Sequence, residues 1–151
     1  MDQNIGKKRR IGILVLDGFA AMSFAALTEP MRAANLLARQ QIYDTVIFSA
    51  KGHPAQSSGA TIVMPSTRIG QDDRLDYLFV VAGGDPLRFS APGVTAWLTR
   101  MSRAGIPLGG VAGGPVILAR AGLMEKRRMT VHWEHATALA EVSPHLVIER
   151  S

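Results

Sequence analysis

Four short segments hold the side chains most able to do chemistry. In residues 108–123, LGGVAGGPVILARAGL, an apolar strand runs into a glycine pair and then into a helix. A sharp strand-to-helix bend of this kind presents one strained side chain beside the backbone N–H groups of a helix start, and enzymes place Ser or Cys there. Here the apex is Ala112. A methyl group neither attacks a carbonyl nor holds a covalent intermediate, so no catalytic residue is expected at the bend. The second segment, His132-Trp133-Glu134-His135, contains metal-ligand residue types, but a His-to-His spacing of three without a clear third ligand is a weak metal signature. His132 reads either as a ligand-facing side chain at a strand end or as a hydrogen-bonded core histidine. Trp133 offers a π-face to a cation or simply packs. In the third segment Glu29 stands beside Pro30 in a mostly apolar stretch, where an unpartnered carboxylate would be expensive to bury. Either Arg32, one turn on, pairs with it or it faces a pocket as an acceptor. The fourth is Gly83-Gly84, which ends an apolar strand, permits close backbone approach and can line the same pocket with donors.

These positions depend on the elements that carry them. Residues 11–16 form a short continuous apolar run, the pattern of a strand covered on both faces, and Asp17 and Gly18 then turn the chain. Residues 19–38 repeat apolar side chains at helical spacing, with Pro30 expected to break or kink the helix near Glu29. Residues 43–50 read as a strand, 51–54 as a loop, and 60–64 as a small hairpin or edge addition. A strand over 75–82 leads to a helix over 92–104 with Val94, Trp97, Leu98 and Met101 inward. Then follow a strand over 107–112, a helix over 115–121 closed by Gly122, a strand over 129–132, a helix over 133–142 and a strand over 146–149. This alternation predicts a single α/β domain: a three-layer α/β/α, doubly wound, mostly parallel sheet of flavodoxin-like type with right-handed crossovers. Ligands of such sheets sit at the carboxyl ends of the strands near a topological switch point, which selects the turns at Asp17, Gly83, Ala112 and His132.

Composition narrows the function further. A chain of 151 residues with 47% hydrophobic and 19% charged side chains is an ordinary packed domain rather than a disordered tail. The net charge of +5 owes much to a basic leader, residues 1–10, expected to be flexible, in which Lys7, Lys8, Arg9 and Arg10 face only Asp2; the rest carries 13 basic and 11 acidic side chains. Lys126, Arg127 and Arg128 read as a charged turn, and Asp72 and Asp73 as a solvated loop. Nothing forms a helix-turn-helix with a basic recognition helix, so direct reading of DNA by this segment is not expected. The leader followed by IGILVL imitates a secretory signal, but Asp17 and Gly18 interrupt the apolar stretch after six residues. No stretch approaches the roughly 18 apolar residues of a membrane span. The lack of cysteine excludes disulfides and thiolate nucleophiles and makes a reducing cytoplasm the expected compartment.

Residues 108–123 resemble the pattern LGGVCTGAFLLAEAGLL of AraC-family transcriptional regulators that carry an amino-terminal ThiJ/PfpI, class I glutamine-amidotransferase-like sensor domain. Three further blocks are similar in the same order: ILVLDGFAAMSFAALTEPMRAAN (residues 13–35), DYLFVVAGG (76–84) and MTVHWEH (129–135). The likeness spans residues 11–148. It implies a ligand-sensing domain over residues 11–151 that forms a homodimer and responds to a small-molecule effector. Such a domain reaches DNA only through a carboxyl-terminal helix-turn-helix domain outside this chain, with which the end of the chain directly after its last expected strand is consistent. Carried over residue by residue, the cysteine of related enzymes falls on Ala112, the threonine after it on Gly113, and the carboxylate that tunes the thiol on Ser23. Only the histidine is kept, as His132. Ser23 with His132 would be the one remaining nucleophilic pair, but no turn exposes Ser23. The expected ligand-binding set is therefore Ser23, Glu29, Gly83, Gly84, Ala112, Gly113, His132 and Trp133, with no metal and no cofactor. Residues 29–35 resemble members linked to carnitine, betaine or arginine use, which points to an amine, quaternary ammonium or amino-acid-like effector. The competing readings are a hydrolase, lyase or hydratase of the ThiJ/PfpI superfamily working through His132 and a water, and a dimerisation module without a ligand.

Overall fold

The computed structural model of the chain describes residues 8–71 and 74–149. The readings of leader residues 1–7 and of Asp72 and Asp73 concern residues outside these. The chain begins with β1 (Arg9–Val15), α1 (Ala21–Ala38) and β2 (Tyr43–Ser49). Next come β3 (Ala55–Gln56) and β4 (Ile62–Val63), an antiparallel hairpin of which only the second strand falls in the expected 60–64 stretch, and the edge strand β5 (Thr67–Arg68). β6 (Tyr77–Ala82), α2 (Pro92–Arg103), β7 (Leu108–Ala112) and α3 (Gly114–Arg120) follow, and β8 (Arg128–Met129), α4 (Trp133–Val142) and β9 (Val147–Ile148) close the order.

Among the described residues five strands make one parallel sheet in the order β5-β2-β1-β6-β7. The step from β1 to β2 runs one way across the sheet and the step from β6 to β7 runs the other. Right-handed crossovers therefore place α1 and α2 on opposite faces, which gives the three-layer, doubly wound arrangement. The switch point lies between β1 and β6. On one face Leu14, Val46, Phe48, Leu78 and Val80 pack against Val94, Trp97, Leu98 and Met101 of α2. On the other, Ile11, Ile13, Val15 and Val81 meet Phe24, Leu27 and Met31 of α1. Side chains alternate along a strand, so the unbroken apolar run of β1 supplies both cores.

Three expectations are corrected. The helix is not broken near Glu29: α1 continues through Pro30 to Ala38. Pro30 and Ala26 are both exposed, so the Ala26 carbonyl that loses its N–H partner faces water instead of a dry interior. The strand expected over 129–132 is only Arg128–Met129, and it pairs with Val147–Ile148 in a separate two-stranded sheet. His132 is thus not at the end of a strand of the main sheet. β1 also opens two residues early, taking in Arg9 and Arg10. Arg9 lies 3.3 Å from Asp76, while Lys8 and Arg10 lie 3.8 and 3.6 Å from Asp44. The last cations of the leader are thereby fastened along the amino ends of the sheet.

Candidate functional site

β7 ends on Ala112, whose φ of 54° lies in the left-handed region. An L-residue with a side chain there carries roughly 1–2 kcal/mol of strain, and the neighbouring glycines show what imposes it. A Cβ at Gly114 would stand 2.0 Å from the Val80 carbonyl oxygen, and one at Gly110 would stand 2.3 Å from the Pro115 nitrogen. Backbone is pressed on backbone at both places, which draws α3 down onto β6 and forces the bend. The Gly113 N–H donates to the Ala82 carbonyl at 3.0 Å and locks it. The chain therefore keeps the geometry that would present a nucleophile, with a half-buried methyl in its place. Ala112→Gly should relieve the strain and, after the added entropy of an unfolded glycine, raise stability by about 0.5–1 kcal/mol in urea unfolding; a loss of stability would show that the bend is not strained.

The main-sheet site residues meet around this bend. Ala82 and Ala112 are paired in register, so Gly83 and Gly84 lie beside it. A Cβ at Gly83 would fall 2.3 Å from the Gly18 carbonyl oxygen, so the turn between β1 and α1 rests on that glycine. Gly84 is exposed with φ +60°, and Gly113 is backed by Pro86. Ser23 is half-buried in the first turn of α1, just past the same turn. Gly83, Gly84, Ala112 and Gly113 are therefore together at the carboxyl ends of β6 and β7, although the Gly113 amide is already committed to Ala82.

Three expected site residues stand elsewhere. Glu29 is exposed along α1 and accepts from Arg32 Nε at 2.7 Å, which is the ion-pair alternative of its two readings. His132 precedes α4 with half its side chain exposed, so it is not a core histidine; its Nδ1 is 3.6 Å from Glu134, and its ring lies 5.5 and 6.1 Å from those of Trp133 and His135. Trp133 is 76% exposed and takes no part in the core. Among the described residues no group of three or more His, Asp or Glu side chains is arranged to hold a metal ion.

The hollow that the structure shows at the strand ends lies beside the bend at Ala112, and its full lining was missed from sequence. At the carboxyl ends of β1 and β2 a cavity of about 240 Å³ is lined by Val15, Leu16 and Asp17 on one side, by Ser49, Ala50, Lys51 and His53 on another, and by Phe89. The strand-end rule selects the turn at Asp17, which lines this cavity, but not the end of β2, which supplies its other side. A polar residue closing an apolar strand, followed by a cation, was the available signal.

The protein-family model described as the DJ-1/PfpI family matches residues 9–149. This chain belongs to the DJ-1/PfpI family. Its similarity to proteins of that family extends to regulators. It is 42% identical over 139 residues to the HTH-type transcriptional regulator GlxA of Rhizobium meliloti (strain 1021), covering 91% of this chain and 43% of that protein. It is 39% identical over 135 residues to the HTH-type transcriptional regulator CdhR of Pseudomonas aeruginosa, covering 89% and 40%. The solved structure of an AraC family transcriptional regulator from Pseudomonas putida superimposes with a TM-score of 0.82 at 25% identity, covering 95% of this chain and 77% of the other. The DJ-1/PfpI segment thus spans about two fifths of the length of the curated regulators it matches. Among its described residues no helix is long and apolar enough to cross a membrane.

Proposed function

We propose that this chain is the non-catalytic small-molecule-sensing and dimerisation domain of an AraC-type transcription regulator, and that DNA is bound by another part of that protein. The observation that carries the reading is the strained bend at Ala112: the place for a nucleophile is built, and a methyl fills it. The similarity to regulators supports the same reading. The effector is bound along the carboxyl ends of the main-sheet strands, where open α/β sheets hold their ligands. The effector class, carried over from the sequence resemblance, is an amine, quaternary ammonium or amino-acid-like metabolite. For the effector to act it must bind one arrangement of the regulator better than another, since equal affinity shifts no equilibrium.

Thermal unfolding of the domain against a panel of amines and amino acids tests this. A true effector at ~100 times its Kd should add about 2.7 kcal/mol of stability, and a panel that leaves the midpoint unmoved would count against sensing. Self-association has its own observation. The outer side of α1 carries Met22 at one end and Leu36 and Leu37 at the other, with 83%, 67% and 84% of their surfaces exposed, large apolar side chains that a partner can cover. The wild-type domain is expected to sediment at twice its 16.2 kDa mass and Leu37→Glu at the single mass; a wild-type monomer at high micromolar concentration would overturn dimerisation.

A further inference from the structure

From the cavity at the ends of β1 and β2 we infer that the effector of the proposed sensor is held there, beside the bend rather than at it, and that it is a small zwitterion carrying one ammonium and one carboxylate. This rests on the sensing role proposed above and assigns its site. The first observation is Ser49, which is only 5% exposed and whose hydroxyl is buried without any hydrogen-bond partner. A hydroxyl left in that state is destabilising in the empty domain, because it has given up water and received nothing. Ser49 lines the cavity, and rotation about its Cα–Cβ bond brings the hydroxyl to a bound polar group that supplies what the fold does not.

The second observation is the charge at the rim. Asp17 brings a carboxylate from the turn after β1, and Lys51 brings an ammonium from the loop after β2. Opposite charges on two sides of one small hollow match a ligand with both signs, and neither a plain amine nor a plain acid satisfies both. Asp17 is positioned by the β3 strand, since its Oδ1 accepts from the Gln56 N–H at 3.0 Å. The walls between the charges are apolar: Val15, Leu16, Ala50, Ala55 and Phe89. Phe89 can face the ammonium with its ring, and its backbone is held because Arg120, at the end of α3, donates to the carbonyls of Leu87 and Phe89. The volume of about 240 Å³ equals the share of about eight water molecules at ~30 Å³ each, which suits a short amino acid.

The test uses straight ω-amino acids from glycine to 6-aminohexanoate as probes, read by calorimetric titration on the wild-type domain. Binding should peak at one intermediate chain length, and the matching plain amine and plain acid should each bind at least tenfold more weakly. Ser49→Ala should weaken the best probe at least tenfold while leaving the unliganded domain as stable as wild type or more so; a merely structural serine would not give both results. Asp17→Asn, which retains an acceptor for the Gln56 amide, should weaken it similarly. Ala112→Leu, which fills the bend, should leave affinity within twofold. Loss of binding in Ala112→Leu with retention in Ser49→Ala would overturn this site while leaving the sensing role intact. Failure of every zwitterion to bind the wild-type domain would overturn the inference, and the broader amine panel then decides the sensing role by itself.

Discussion

Trp97→Ala is expected to lower the unfolding free energy by about 3–5 kcal/mol, the usual range for deleting a large buried aromatic. Trp97 is 2% exposed and reaches from α2 onto the sheet, where its ring lies 5.1 Å from that of Phe48 at a 45° tilt. Around it stand Leu14, Leu78, Val80, Val94 and Leu98, contributed by two strands of the sheet and the helix itself. Alanine would leave a void that these residues, fixed by sheet and helix backbone, can close only in part. Domains of this size hold about 5–15 kcal/mol in total, and each kcal/mol moves the melting point by about 2–4 °C, so a fall of roughly 6–20 °C follows. Urea unfolding should show a lower midpoint at unchanged slope. A change below about 1 kcal/mol would mean that α2 does not cover the sheet as described.

Gly114→Ala sets two effects of opposite sign against each other. Alanine is the better helix former by about 1 kcal/mol, so propensity alone predicts a more stable α3. Packing predicts the reverse, because the new methyl carbon would sit 2.0 Å from the Val80 carbonyl oxygen, a backbone atom in the middle of β6. No side chain can swing away to make room, and α3 must lift from the sheet, taking the bend at Ala112 with it. Overpacking costs roughly 1–3 kcal/mol, and a contact this close against backbone belongs at the upper end of that range. Chemical denaturation of the single variant decides the sign, and a stabilised Gly114→Ala would show that α3 does not rest directly on β6.

Much of this architecture can be read from letters because it follows from local periodicity. The inward face of α2, with Val94, Trp97, Leu98 and Met101, is given by helical spacing alone, and the same four residues are buried. The glycines around Ala112 are legible for a similar reason, since a cluster of them between a strand and a helix signals backbone pressed on backbone. What pairs with what is less local. Residues 129–132 read as one more strand, but the short pairing of Arg128–Met129 with Val147–Ile148 depends on tertiary partners that no periodicity reveals. That displacement moves His132 and Trp133 away from the strand ends where the letters placed them. The Ser49 cavity was hidden for a related reason. The run YDTVIFS announces a strand, while whether its last hydroxyl finds a partner depends on chain that folds over it later, from the loop at Pro54 and Ala55. For Glu29 the letters left two readings open, and only the position of the Arg32 side chain chose between them.

The claim on which the rest depends is that this family member binds without transforming. The most direct measurement is turnover by the purified wild-type domain, with ester, amide and dicarbonyl compounds as substrates and His132→Ala and Ser23→Ala alongside. All three proteins should release product at the rate of buffer, because the bend offers a methyl and His132 lies half exposed beside Glu134. Product formation by the wild type that disappears in either variant would contradict the sensor reading and establish an enzyme in its place.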